Sequence, residues 1–180
     1  SSIWYFPVAF GVKEPVGTLA LVACLPFVAL RRRVGGADAV RILCLALPSF
    51  ALLVTMIFGP LNIGLRHILP VYPMLFTLIG LMIAATWQSG ARFAFVGLIA
   101  LSCIETIARA PDFIAFFNVV AGGPRSGPKY LTDSNIDWGQ DLKLLSAWQK
   151  KNPNEHLYLS YFGTADPAWY GIQCESFFPR

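Results

Sequence analysis

Between Tyr130 and Asp141 the chain reads YLTDSNIDWGQD, which places Asp133, Asp137 and Asp141, the amides of Asn135 and Gln140, and Trp138 within twelve residues. Carboxylates and amides at this density suit a polar, many-hydroxyl ligand. The purely structural alternative is that Asp133, Asn135 and Asp137 bond their own backbone in turns and cap a helix. The spacing Asp133, Asn135, Asp137 overlaps a calcium loop, but Trp138 stands where that loop requires glycine and Leu144 where it requires a bidentate Glu. The calcium reading fails. No metal or other cofactor is required, and a looser divalent site on Asp133 and Asp137 stays only as an alternative. A second constellation is Arg66–His67, between two apolar runs. A guanidinium makes a charge-assisted fork to phosphate oxygens, so this pair suits a phosphate-headed lipid. Its structural alternative is an arginine that snorkels to headgroups and fixes helix depth. Glu105 and Arg109, four residues apart, are expected to pair on one helix.

The elements that must hold these residues are mostly membrane. Of the 180 residues, 56% are hydrophobic and 13% charged, about half the charge of an ordinary soluble domain. The class expected is a polytopic α-helical membrane protein with about four transmembrane helices, at about 15–31, 39–58, 68–87 and 93–109. Its membrane region, 1–109, is followed by a small extracytoplasmic α/β segment. The chain opens inside apolar sequence without a basic n-region, as the back part of a longer protein would. Arginines 31, 32, 33, 41 and 92 mark one side as cytoplasmic, which sends Arg66, His67 and everything after residue 109 outside. A net charge of +4, concentrated beside apolar runs, speaks for membrane lipids as partners and against nucleic acid. Cys24, Cys44, Cys103 and Cys174 form neither a disulfide framework nor a metal set.

Residues 110–124 are expected to form an interfacial helix and linker, with Phe113, Phe116, Phe117 and Val120 on one face. Residues 125–180 are expected to be an incomplete α/β segment: a strand at 129–132, a helix from Asp137 to Lys151 capped by Asp137 with Gln140 in a capping box, and a strand from His156 to Phe162. Parallel strands would bring Asp133–Ser134–Asn135 and Gly163–Thr164–Ala165–Asp166 to one carboxyl edge, where open α/β sheets bind ligands. That adds Thr164 and Asp166 to the candidate substrate-side residues Asp133, Asn135, Asp137, Gln140 and Asp141.

Five stretches carry a resemblance: WYFPVAFGVKEP, NIGLRHILPVYP, FFNVVAGGP, YLTDSNIDWGQDL and YFGTADPAWYGI. Together they resemble the C-terminal half of bacterial GT-C glycosyltransferases of the protein O-mannosyltransferase-like kind. The resemblance implies transfer of a sugar from a polyprenyl-phosphate carrier to an extracytoplasmic acceptor at the bacterial inner membrane. It also implies that Arg66 and His67 contact the lipid phosphate. The catalytic carboxylate of such enzymes lies in a first outer loop, so the base is expected upstream of this sequence. The alternative expectation is a non-catalytic membrane subunit that docks a partner through Trp169, Tyr170, Phe177 and Phe178.

Overall fold

The computed structural model describes residues 3–32, 35–59, 64–161 and 163–176. Long apolar runs satisfy their backbone polar groups internally, and each of them is helical. The helices are α1 (Tyr5–Lys13), α2 (Val16–Arg32), α3 (Gly36–Phe58), α4 (Val71–Thr86) and α5 (Ala91–Ile107). Among the described residues one helix, α3, is long and apolar enough to cross a membrane. It has 23 residues and leaves Leu43, Leu47 and Phe50 more than half exposed. Helices α2, α4 and α5 have 16 or 17 residues each. That gives a rise of about 25 Å, short of a hydrocarbon core of roughly 30 Å. The expected third span loses its first turn to a 3-10 turn, Leu65–Ile68, ahead of Pro70.

Helix α1 occupies the stretch read from sequence only as headgroup-boundary residues. Pro7 is tolerated there because it falls in the first turn. Pro15 forces Glu14 into extended backbone, φ −86° and ψ 143°, which separates α1 from α2. Helix α2 then runs antiparallel to α5 at close range. A Cβ on Gly17 would lie 2.1 Å from the Leu98 carbonyl oxygen, and the Thr18 hydroxyl donates to Ser102 Oγ at 3.1 Å. Leu21, Ile79, Met82 and Phe95 fill the space between α2, α4 and α5. Phe6, Ile68 and Val71, with Leu53 and Met56 against them, join α1 to α3 and α4. This arrangement gathers the end of α1, the start of α2, the turn at 65–68 and the end of α5 at one end of the bundle. The loop 87–90 lies at the other.

Over that first end sit residues 110–176, and there the structure departs from the sequence reading. Residues 111–123 are not a helix but irregular turns. Their polar groups bond outward: Asn118 N donates to Val12 O at 2.9 Å, and Val119 N to the Glu105 carboxylate at 2.8 Å. Phe116 and Phe117 are buried while Phe113 and Val120 are exposed, so the expected common face does not exist. No strand forms at 129–132. Pro124–Lys129 is a 3-10 turn, as two prolines in six residues favour. The C-terminal helix, α6 (Leu142–Lys151), begins five residues later than expected. The sheet is one parallel pair, β1 (Tyr158–Leu159) with β2 (Glu175–Ser176), so no strand leads into the acidic loop. Phe162 lies outside the described residues, as do Arg33, Phe177 and Phe178. Helix α6 is held by polar contacts: Ser146 Oγ donates to Tyr170 O at 2.7 Å, and Gln149 exchanges two hydrogen bonds with the Gln173 backbone. Leu142 is its buried anchor, and Trp148, expected on the same stripe, is 45% exposed.

Candidate functional site

Where α1 ends, four segments distant in sequence meet: Lys13, the turn 64–69, and the loops 113–116 and 134–138. They line an open groove of about 590 Å³. Each is held by identifiable bonds. Gly64, at φ 133°, takes a conformation that side chains avoid, and a Cβ there would stand 3.2 Å from Ser134 Oγ. This close approach is locked by Asn135, which is 7% exposed. Its Oδ1 accepts from Leu65 N at 3.3 Å, and its Nδ2 donates to the Tyr5 hydroxyl at 2.9 Å and to Thr132 O at 3.2 Å. Lys13 Nζ donates to Ile114 O at 2.7 Å and also to Asn135 O, and lies 4.2 Å from the centre of the Phe117 ring. Burial pulls its ammonium down to about 8. The Arg66 guanidinium sits 4.9 Å from the centre of the Trp138 ring, and the Trp138 indole donates to Ser134 O at 2.7 Å.

The groove therefore carries two cationic side chains and an amide among apolar walls. Leu65, Leu69, Phe113, Ile114 and Phe116 supply most of the apolar surface. Such a lining fits an amphiphile with an anionic head. Asp112 and Asp137 directly precede the groove residues Phe113 and Trp138 in the chain. Asp141 shares their neighbourhood: its carboxyl is pushed up by burial and by the charges of Asp112 and Asp137.

Of the residues singled out from sequence, Arg66 and Asn135 line the groove together. His67 does not: it is half-buried, and no partner among the described residues reaches its buried Nε2. Neighbours in a 3-10 turn point apart, which splits the expected pair. Asp133 lies in a short 3-10 turn, Asp133–Asn135. Asp137 does not cap a helix; its Oδ1 accepts from Gly139 N at 2.7 Å in a local turn. Gln140 closes the same turn, accepting from Trp138 N at 2.7 Å and donating to Ile136 O at 3.1 Å, so the expected capping box is absent. Asp141 takes the N-cap position of α6 without a side-chain cap bond. The 137–139 turn does meet Tyr161 and Gly163: a Cβ on Gly139 would stand 3.0 Å from the Tyr161 ring, and one on Gly163 3.1 Å from Trp138 O. Thr164 is exposed, and Asp166 caps the 3-10 turn Pro167–Tyr170 by accepting from Ala168 N at 3.0 Å. Neither lines the groove.

Sequence reasoning missed Lys13 and Trp138 as groove residues. It also misassigned Glu105, which makes no ion pair with Arg109 among the described residues. Glu105 is 7% exposed, and its carboxylate accepts from Val16 N at the start of α2 and from Val119 N, both at 2.8 Å. Asn118, 1% exposed, completes this bracket: its amide donates to Gly11 O at 2.7 Å and to Glu14 O at 2.8 Å, and accepts from Ala121 N at 2.9 Å. Among the described residues no three of His, Cys, Asp or Glu gather as a metal-ligand set. Comparison with protein-family models, curated proteins and solved structures finds no match for the chain.

Proposed function

We propose that this chain belongs to a membrane glycosyltransferase of the GT-C kind, which takes a sugar from a polyprenyl-phosphate carrier and passes it to an extracytoplasmic acceptor. One observation carries the reading: Lys13 and Arg66, brought from separate elements, face one apolar-walled groove at the end of the helical bundle. A phosphate with a hydrocarbon tail matches both features, charge at the head and apolar surface along the chain. The sequence resemblance supports the same ligand class. On this reading α2 to α5 are four spans, with the shorter helices set at depth by flanking cations and by local thinning of the bilayer.

In the transfer, an acceptor hydroxyl attacks the anomeric carbon and the bond from that carbon to the phosphate oxygen breaks. The polyprenyl phosphate leaves with the electron pair. Arg66 and Lys13 hold the charge that develops there, and such preorganised donors stabilise the transition state more than the ground state. The proton of the acceptor passes to a base that is not assigned among residues 1–180.

The test is transfer of a radiolabelled sugar from a polyprenyl-phosphate donor by membranes that carry the protein, compared with membranes carrying Arg66→Ala. Donor consumption that depends on Arg66 supports the reading; turnover equal to wild type counts against it. A second reading, a partner-docking subunit, draws on Trp169, which is 88% exposed. Tyr170, named with it from sequence, is instead half-buried against α6. A Trp169→Ala variant that loses a co-purifying protein while donor turnover is nil would favour that second reading.

A further inference from the structure

The irregular segment 111–123 raises a separate question, because non-helical backbone beside membrane helices needs a reason. It is tied to α1, where Asn118 N donates to Val12 O at 2.9 Å, and to α5. Glu105 lies in the last turn of α5, and its Oε1 accepts from Val119 N at 2.8 Å. Val119 is thus bonded to the last turn of α5, which also carries Ile104 and Ile107. All four side chains are outward: Ile104 is 65%, Ile107 70%, Val119 62% and Val120 79% exposed. Exposed apolar side chains therefore stand both on the last turn of α5 and on the loop bonded to it.

The loop's polar groups are turned inward. The Glu105 carboxylate accepts from Val119 N and the Asn118 side chain from Ala121 N, while Gly122 N and Gly123 N return to Val119 O and Asn118 O at 3.1 and 3.0 Å. Cations flank the apolar tip. Arg109 reaches toward Gly123, where a Cβ would lie 3.1 Å from its guanidinium nitrogen, and Arg125 and Lys129 are exposed just beyond. An apolar tip with a basic collar and an internally bonded backbone is complementary to the boundary between lipid headgroups and acyl chains.

We propose that Val119–Val120 is a fixed wedge inserted into the outer edge of the bilayer, with Arg109, Arg125 and Lys129 on the lipid phosphates, and that Glu105 sets its depth. The wedge rests on the membrane reading given above, though not on glycosyl transfer. It would hold the groove wall, Phe113 to Phe116, at the level where a carrier lipid's head emerges.

The experiment reconstitutes the protein in phosphatidylcholine–phosphatidylglycerol vesicles. An environment-sensitive fluorophore is attached at Val120→Cys, at Leu47→Cys on α3 and at Thr164→Cys, with the wild-type cysteine labelling subtracted. Quenching by a nitroxide placed high on the lipid chain is compared with quenching by aqueous iodide. The wedge predicts that Val120→Cys, like Leu47→Cys, is quenched several-fold more by the lipid nitroxide, and Thr164→Cys more by iodide. Iodide quenching of Val120→Cys equal to that of Thr164→Cys, with Leu47→Cys still in lipid, overturns the wedge alone. Iodide quenching at Leu47→Cys as well overturns the membrane reading and the wedge with it. Adding Glu105→Ala should shift the Val120→Cys label toward iodide, and no shift would remove Glu105 from the account.

Discussion

Replacing Glu105 tests how this end of the bundle, where α1 meets α2, is held. Its two carboxylate oxygens each accept a backbone amide at 2.8 Å, one from Val16 at the start of α2 and one from Val119 in the loop. The first amide of a helix has no partner within the helix, and Pro15, which precedes α2, has no polar side chain to cap it. A hydrogen bond to a charged group is worth about 1.5–3 kcal/mol, and a buried donor left unpaired costs about as much. Glu105→Ala strands both amides at a site only 7% exposed, so a loss of about 3–5 kcal/mol is expected. Glu105→Gln keeps one acceptor and turns an NH2 group toward the other amide, so about half that loss is expected. Equilibrium unfolding in mixed micelles with rising dodecyl sulfate, followed by far-UV circular dichroism, reads both variants. Proteolysis between residues 111 and 123 should become faster in the same order. If Glu105→Ala unfolds within about 0.5 kcal/mol of wild type, the ordinary range for surface changes, the carboxylate is not the bracket described here. A cost for Gln equal to that for Ala would also refute the bond-by-bond reasoning.

Gly17→Ala places a methyl 2.1 Å from the Leu98 carbonyl, so α2 and α5 must separate; a loss of about 1–3 kcal/mol in the same unfolding assay is expected, and no loss would mean the helices are not in this contact. Asn135→Ala removes the side-chain bonds to Leu65, Tyr5 and Thr132, which should cost about 1–3 kcal/mol and open the 64–69 turn to hydrogen exchange; unchanged exchange at Leu65 would refute the coupling. The pH dependence follows from Lys13, held at about 8 against 10.5 for the unperturbed side chain. Between those values the unfolded chain binds more protons than the folded one, so this residue adds stability as pH rises from about 8. An anionic head in the groove needs the ammonium, so binding of a lipid phosphate should weaken over the same rise. A Lys13→Gln variant should bind weakly at all pH values and lose that slope; a slope retained in the variant assigns the titration elsewhere.

Much of the helical framework is written in the sequence as long apolar runs, and their ends fall near Pro15, Gly35, Pro70 and Gly90 because those residues punctuate a helix. The convergence of Arg66 with the 134–138 loop was legible in the same way, from helix ends that must alternate between two sides. The remainder depends on contacts that periodicity does not record. Lys13 reads as a break between apolar runs, and only the loop carbonyls of Ile114 and Asn135 give its ammonium a place. Phe113, Phe116, Phe117 and Val120 have helical spacing, yet Asn118 and Glu105 draw the backbone between them into bonds with α1, α2 and α5. The capping box at Asp137 and Gln140 was outcompeted by tighter local turns, since both side chains reach backbone groups within four residues. Trp138, set aside as the residue that spoils a calcium loop, turns out to be the surface on which Arg66 rests.

The central claim, that this groove receives a phosphate-headed lipid, is tested most directly by binding. Polyprenyl monophosphate is titrated into the protein in nanodiscs made with excess phosphatidylglycerol, and bound lipid is counted by native mass spectrometry for wild type, Arg66→Ala and Lys13→Ala. One charge-assisted hydrogen bond of about 1.5–3 kcal/mol corresponds to roughly 10- to 150-fold in affinity. Each variant should therefore bind at least about tenfold more weakly while phosphatidylglycerol binding stays level. Equal polyprenyl phosphate affinity in all three proteins would contradict the account.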